Sequence, residues 1–134
     1  MTERKTIATS AAPQAIGPYA QAICVQGPAN LLFTSGQVAL DPETGALITG
    51  DVRAQTLRVM RNLQSVLEAG NSSFGQVVKA TIFLKDMGDF QAVNEVYGSF
   101  FEADNVPARS TVEVSRLPKD VDVEIELVAV SQKG

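Results

Sequence analysis

The sequence predicts an α+β fold in which a mixed sheet carries two helices on one face. The first observation is the order of patterns along the 134 residues: three strands, a helix, a strand, a helix and two strands. The second is that apolar residues recur at helical spacing in only two stretches and alternate or cluster elsewhere. The length suits a single domain covering residues 1–134.

The first part of the chain contains three short strand patterns separated by turn residues. Strands are predicted at residues 5–9, 20–25 and 31–34, and residues 11–19, with two prolines and a glycine, are predicted as a loop. The single cysteine, Cys24, lies on the second strand, where we expect a small core residue rather than a nucleophile.

The two helix patterns have recognisable starts. Asp51 and Asp89 are predicted as N-caps, and Gly70 with Asn71 supplies the stop of the first helix. Between the helices, residues 76–84 read as a buried, β-branched strand. The apolar positions of the second helix are Phe90, Val93, Tyr97, Phe100 and Phe101.

The last two strand patterns, residues 108–114 and 121–127, alternate between apolar and polar side chains. A polar connection containing a proline separates them, which predicts an antiparallel hairpin. The pattern fits either a solvated face with ion pairs or an anion-binding Arg beside an acid–base Glu. The side chains that this pairing would bring to one face are Arg109, Thr111, Glu124 and Glu126.

Three strand segments are apolar on both faces, at residues 31–33, 82–84 and 128–130. Two helices can cover only one side of the sheet, so the other side should expose an apolar patch, which monomers rarely tolerate. We therefore expect that this open face is buried against another copy of the chain, where charges must be paired or must bind a ligand.

Composition excludes several kinds of site. The chain has no histidine, so neither a Ser-His-Asp nor a Cys-His site can be built within it, and one cysteine allows no intramolecular disulfide. The net charge of −4, without a basic stripe, argues against a nucleic-acid partner. No signal peptide or membrane-spanning run is evident, so we expect a soluble, cytoplasmic protein.

Six short runs resemble one known family. They are IGPY at 16–19, SGQ at 35–37, VNEVY at 93–97, PARSTVEV at 107–114, RLPKD at 116–120 and VEIE at 123–126. In this order they resemble the reactive intermediate deaminase family (RidA type), also called the translation-inhibitor or L-PSP endoribonuclease family. The resemblance implies a chorismate-mutase-like fold with a mostly antiparallel sheet, and a homotrimer with clefts between neighbouring subunits.

The resemblance also implies an activity. Family members hydrolyse enamine and imine intermediates such as 2-aminoacrylate and 2-aminocrotonate to 2-keto acids and ammonia, as 2-iminobutanoate/2-iminopropanoate deaminases. These intermediates leak from pyridoxal-phosphate dehydratases, which gives a functional link to those enzymes. The family needs no cofactor and no metal.

Residue roles follow from the same resemblance. Arg109 would bind the substrate carboxylate, which suits a planar guanidinium, and Glu124 would position the attacking water and move protons. Backbone N–H groups of Gly36 and Thr111 would add hydrogen bonds. Many relatives have Cys in place of Thr111, so thiol chemistry is not expected here. The implied cleft residues besides Arg109 and Glu124 are Tyr19, Gly36, Asn94 and Thr111.

Two other function classes are compatible with the residues. One is a non-catalytic trimer that binds a small carboxylate as a regulator, which would need Arg109 but not Glu124. The other is a ribonuclease or translation inhibitor, as the family's older name implies, which the negative charge and the few aromatic residues disfavour.

Overall fold

A computed structural model describes residues 3–132 of the chain. The predicted order of elements is confirmed, with ends that differ by one or a few residues. None of the helices in this described part is both long and apolar enough to cross a membrane. The elements are β1 (Glu3–Ile7), β2 (Ala22–Gln26), β3 (Asn30–Phe33), α1 (Val52–Ala69), β4 (Val77–Leu84), α2 (Phe90–Gly98), β5 (Ala108–Glu113) and β6 (Val123–Ser131).

The strands form two sheets. β1 and β2 make an antiparallel pair, and the main sheet has the order β3-β6-β4-β5. Within the main sheet β6 is antiparallel to both β3 and β4, whereas β5 runs parallel to β4. The α+β class with a mixed sheet is therefore confirmed.

The predicted hairpin between β5 and β6 is wrong, because β4 lies between these two strands. The connection after β5 spans the end of β4: the Val114 N–H donates to the Leu84 carbonyl, and the Lys85 N–H donates to the Asp122 carbonyl. Alternation fixes which side chains of a strand share a face, but it does not select the neighbouring strand. The strand with apolar residues on both faces, β4, takes one of the two interior positions of the sheet, beside β6.

Both helices pack on the same face of the main sheet. The hydrophobic core lies between them and the sheet. α1 contributes a stripe of apolar residues at helical spacing, α2 contributes Val93 and Tyr97, and the sheet contributes every second residue of β4 and β6. The fully buried members with the largest side chains include Met60, Leu63, Leu67, Ile82, Leu84, Tyr97, Ile125 and Leu127.

The ends of the helices follow the predicted signals in part. Asp51 caps α1 by accepting a hydrogen bond from the Ala54 N–H at 2.9 Å, and Asn71 adopts the left-handed conformation after the helix, with φ 58°. Asp89 occupies the N-cap position of α2, but its side chain makes no capping hydrogen bond. Asp86 instead caps the short 3₁₀ turn before α2 by accepting from the Gly88 N–H.

The β1–β2 pair is attached to the main sheet through Arg4. Its guanidinium donates to the carbonyls of Val77 and Val106, at 2.9 and 3.0 Å, and to the Asn105 side chain. Cys24 is exposed on β2, so the prediction of a core position is wrong. Along β2, exposed and half-buried residues alternate, as expected for a two-stranded pair with one face open to solvent. The short sequence pattern did not distinguish such a strand from a buried one.

The face of the main sheet opposite the helices is partly apolar, as predicted. Leu31 and Phe33 on β3 are 50% and 69% exposed, and Val112 on β5 is 41% exposed. Glu124 and Glu126 of β6 lie on this same open face, because they pair with Phe83 and Thr81 of β4.

Candidate active site

Arg109 lies on the helix side of the sheet, under α2. Its position on β5 is opposite Ala80 of the buried β4 row, which turns its side chain toward α2. One terminal nitrogen, Nη1, donates a hydrogen bond to Asn94 Oδ1 at 2.6 Å. Asn94 is presented by the middle of α2, so the helix and the strand together fix this guanidinium.

Three aromatic rings surround the same guanidinium. The Arg109 Cζ lies 5.2 Å from the ring centroid of Tyr97, 5.3 Å from that of Tyr19 and 5.7 Å from that of Phe90. Burial lowers the pKa of the Arg109 guanidinium, and the neighbouring Tyr97 and Tyr19 hydroxyls oppose this shift. A guanidinium nevertheless stays protonated in proteins, so the site keeps a positive charge.

Tyr19 reaches Arg109 from the loop that precedes β2. The loop turns tightly, with the Tyr19 N–H donating to the Gly17 carbonyl at 2.7 Å, and the Tyr19 hydroxyl accepts from the Ile16 N–H. Ala20 then forms a bridge with Ala108 at the start of β5. This bridge brings the predicted IGPY loop next to Arg109.

Two polar atoms beside Arg109 are buried and have no hydrogen-bond partner within residues 3–132. They are the Tyr97 hydroxyl and Thr111 Oγ1, which lies two residues beyond Arg109 on the same face of β5. Burial raises the pKa of the Tyr97 hydroxyl, and the positive Arg109 opposes this shift. We call Tyr19, Asn94, Arg109 and Thr111 the arginine half-site.

Glu124 belongs to a second group of residues, around Gly36. The Gln37 N–H donates to the Ile125 carbonyl and the Ile125 N–H donates to the Gln37 carbonyl, so the chain after β3 runs beside β6. A Cβ at Gly36 would overlap the Glu124 carboxylate, since it would lie 2.7 Å from the Glu124 Cδ. A side chain at position 36 would therefore displace the Glu124 carboxylate. We call Gly36 and Glu124 the glutamate half-site.

The two half-sites lie on opposite faces of the sheet, so the prediction that Arg109 and Thr111 share a face with Glu124 and Glu126 is wrong. Arg109 shares its row with Ala80 on the helix side, whereas Glu124 lies on the open side. Their strands are also separated by β4, a lateral distance of about 10 Å. A ligand bound within one chain cannot contact both side chains.

Two other charged side chains near the end of β5 have partners of their own. Glu113 Oε1 accepts a hydrogen bond from the Met87 N–H at 2.8 Å, and Arg116 forms an ion pair with Asp120 at 2.7 Å.

Sequence reasoning missed the contribution of Phe90 and Tyr97, which it assigned only to the apolar face of α2. The spacing of these residues could have indicated this role, because positions 90, 94 and 97 fall on one side of a helix and Asn94 was already predicted to line the cleft.

A cleft of about 770 Å³ lies between the loop after β1 and residues 103–106. Tyr19 forms part of its wall, but Arg109 and Glu124 do not. Its lining is largely apolar and includes the negatively charged Asp104, which would repel a carboxylate. This cleft is therefore not the candidate active site.

A family model described as Endoribonuclease L-PSP matches residues 9–131, which contain both half-sites. The chain belongs to this L-PSP family, of RidA type. The predicted resemblance is thus confirmed. A 2-iminobutanoate/2-iminopropanoate deaminase of Salmonella typhimurium is 48% identical over 128 residues, which cover 94% of this chain and 97% of that protein. A RutC family protein of Pyrococcus abyssi is 47% identical over 129 residues, covering 96% and 98%.

Two solved structures support the same fold. The YJGF gene product of Escherichia coli matches with a TM-score of 0.71 at 46% identity, covering 96% of this chain and 99% of that one. E. coli TdcF, solved with bound serine, matches with a TM-score of 0.71 at 42% identity, covering 96% and 99%.

Proposed function

We propose that this protein is a hydrolytic deaminase that converts 2-imino acids and their enamine tautomers to 2-keto acids and ammonia. The observation that carries the proposal is Arg109, a half-buried cation with no carboxylate partner among the ion pairs of residues 3–132. A partly buried charge is costly unless an opposite charge neutralises it. The remaining guanidinium N–H groups suit both oxygens of a substrate carboxylate. The relatives named 2-iminobutanoate/2-iminopropanoate deaminase support the same reaction.

We further propose that the active site is composite. The arginine half-site of one protomer would meet the glutamate half-site of a neighbour, since one chain cannot supply both to a single ligand. The exposed apolar side chains of the open face, Leu31 and Phe33 among them, support burial of this face against another copy. The resemblance favours a homotrimer of chorismate-mutase-like subunits.

In the proposed reaction the substrate carboxylate docks on Arg109 and the enamine tautomerises to the imine. Glu124 accepts a proton from water while the water oxygen adds to the imine carbon, which forms a carbinolamine. Glu124 passes this proton to the former imine nitrogen, which completes the neutral carbinolamine. The hydroxyl proton of the carbinolamine then moves, through Glu124, to the amino group as the C=O bond forms and the C–N bond breaks, which leaves the 2-keto acid and ammonia. Because an imine is already electrophilic, positioning and one acid–base group, worth about 10²- to 10⁴-fold, are sufficient. The substrates would come from pyridoxal-phosphate dehydratases in the cytoplasm.

A second candidate is a carboxylate-binding protein without turnover. The serine bound in the TdcF structure favours it, because an amino acid carboxylate offers the same anion to an arginine. The two candidates differ in their need for Glu124, which hydrolysis requires and carboxylate binding does not.

The test couples a threonine dehydratase to the purified protein and follows 2-keto acid release. We expect the wild type to accelerate release and Arg109→Ala to lower kcat/KM about 10- to 100-fold, through lost charge-assisted hydrogen bonds. Glu124→Gln should lower it about 10²- to 10⁴-fold. Glu126→Gln, on the same strand and face, is the matched control and should retain activity. A wild type that adds nothing to the spontaneous rate would overturn the deaminase proposal in favour of binding.

A further inference from the structure

We infer that Phe90 and Tyr97 are positioning residues that hold Arg109 in its binding orientation before a ligand arrives. They supply two of the three rings around the guanidinium, and neither is among the predicted site residues. The inference rests on the proposed function only in taking Arg109 as the carboxylate-binding group. Both act through Arg109 and not on the reacting atoms.

The geometry favours a fixed guanidinium. Arginine has a long, flexible side chain, and ordering it on binding weakens affinity. Here Asn94 holds one edge of the guanidinium at 2.6 Å while the rings of Tyr19, Phe90 and Tyr97 lie around it at cation–π distance. The ordering is therefore already complete in the protein, which leaves the other N–H groups available to a carboxylate.

The two new rings have different surroundings. Tyr97 is fully buried in the core, and its hydroxyl has no partner within residues 3–132, so its contribution to Arg109 is through the ring. Phe90 is 37% exposed at the start of α2. Phe90 can consequently be replaced with less effect on the core, which makes it the more informative residue to change.

Phe100 provides a matched control elsewhere on the protein. Its ring lies 5.5 Å from the Cζ of Arg61, a cation–π contact of the same kind, and it packs against Phe74 rather than Arg109. Phe100→Leu removes the same number of ring atoms as Phe90→Leu without altering the surroundings of Arg109.

The experiment measures the Kd of propanoate by isothermal titration calorimetry, alongside KM and kcat in the dehydratase-coupled assay. We expect Phe90→Leu to weaken propanoate binding about two- to tenfold through lost pre-organisation, and to raise KM by a similar factor with kcat nearly unchanged. Phe90→Tyr should restore affinity. Tyr97→Phe, which keeps the ring, should weaken binding less than Phe90→Leu, and Phe100→Leu should bind as the wild type does.

The outcomes separate this inference from the proposed function. If propanoate binds in an Arg109-dependent way and Phe90→Leu weakens it while no keto acid release is accelerated, the inference stands and the deaminase proposal fails. If the wild type is active but Phe90→Leu keeps the wild-type Kd and KM, the inference is overturned and the deaminase proposal stands. An equal loss in Phe100→Leu, or propanoate binding that does not depend on Arg109, would also overturn the inference.

Discussion

A composite site makes a quantitative prediction for mixtures of two inactive variants. Arg109→Ala protomers retain the glutamate half-site, and Glu124→Gln protomers retain the arginine half-site. In a cyclic oligomer, a site is complete only where an intact arginine half meets an intact glutamate half from its neighbour. Random assembly of equal amounts makes about one site in four complete, whatever the number of subunits in the ring.

The assay unfolds the two variants together in guanidinium chloride, refolds them, and measures 2-keto acid release per protomer. Each variant alone should retain no more than about a tenth of wild-type kcat/KM. The refolded mixture should rise to about 25% of wild-type activity. Variants refolded separately and mixed afterwards should show no gain, because subunits that do not exchange cannot form new interfaces.

The control mixture contains the wild type and the Arg109→Ala/Glu124→Gln double variant in equal amounts. A site shared between neighbours leaves about a quarter of the activity, since both contributors must be wild type, whereas a site within one protomer leaves about half. The composite site would be refuted if the refolded mixture of Arg109→Ala and Glu124→Gln protomers stayed inactive while this control kept half of the wild-type activity. That result would mean that Arg109 and Glu124 of one protomer act on the same ligand from opposite faces of the sheet.

Three further substitutions test separate parts of the structure. Gly36→Ala should displace the Glu124 carboxylate and lower kcat at least about tenfold, with little change in propanoate affinity, as measured by kinetics and calorimetry. Phe33→Glu should dissociate the proposed oligomer in analytical ultracentrifugation, because about 2 kcal/mol from burial of the Phe33 side chain would be lost at each proposed interface and a charge would be introduced there. Asp51→Ala should lower the free energy of unfolding by about 1 kcal/mol in urea titration, whereas Asp89→Ala should change it less, since only Asp51 makes the capping hydrogen bond.

The first two of these predictions have matched controls. Gly75→Ala adds a Cβ whose nearest neighbour lies at 3.4 Å, so it should leave kcat unchanged, and an equal loss there would mean that Gly36 acts through general stability. Leu57→Glu adds the same charge at a 44% exposed leucine on α1, away from the open face, and should leave the oligomer intact. If Phe33→Glu sediments as the wild type does, the open face is not the interface.

The residue patterns alone determined the order of the elements, because helix and strand periodicity are local properties of the chain. The α1 start at Asp51 and the stop at Asn71 follow from capping chemistry within a few residues. The apolar character of the open face also followed from counting faces, since segments such as residues 31–33 are apolar on both sides.

The tertiary structure decided which strands are neighbours, and with that the composition of each half-site. Alternation places Arg109 and Thr111 on one face of β5, and Glu124 and Glu126 on one face of β6, but it does not relate the two faces to each other. That relation depends on β4, which is distant in sequence and joins β5 in a parallel pair. Because pairing partners are long-range, only the folded chain reveals that Arg109 lies under α2 among aromatic rings while Glu124 faces the opposite side.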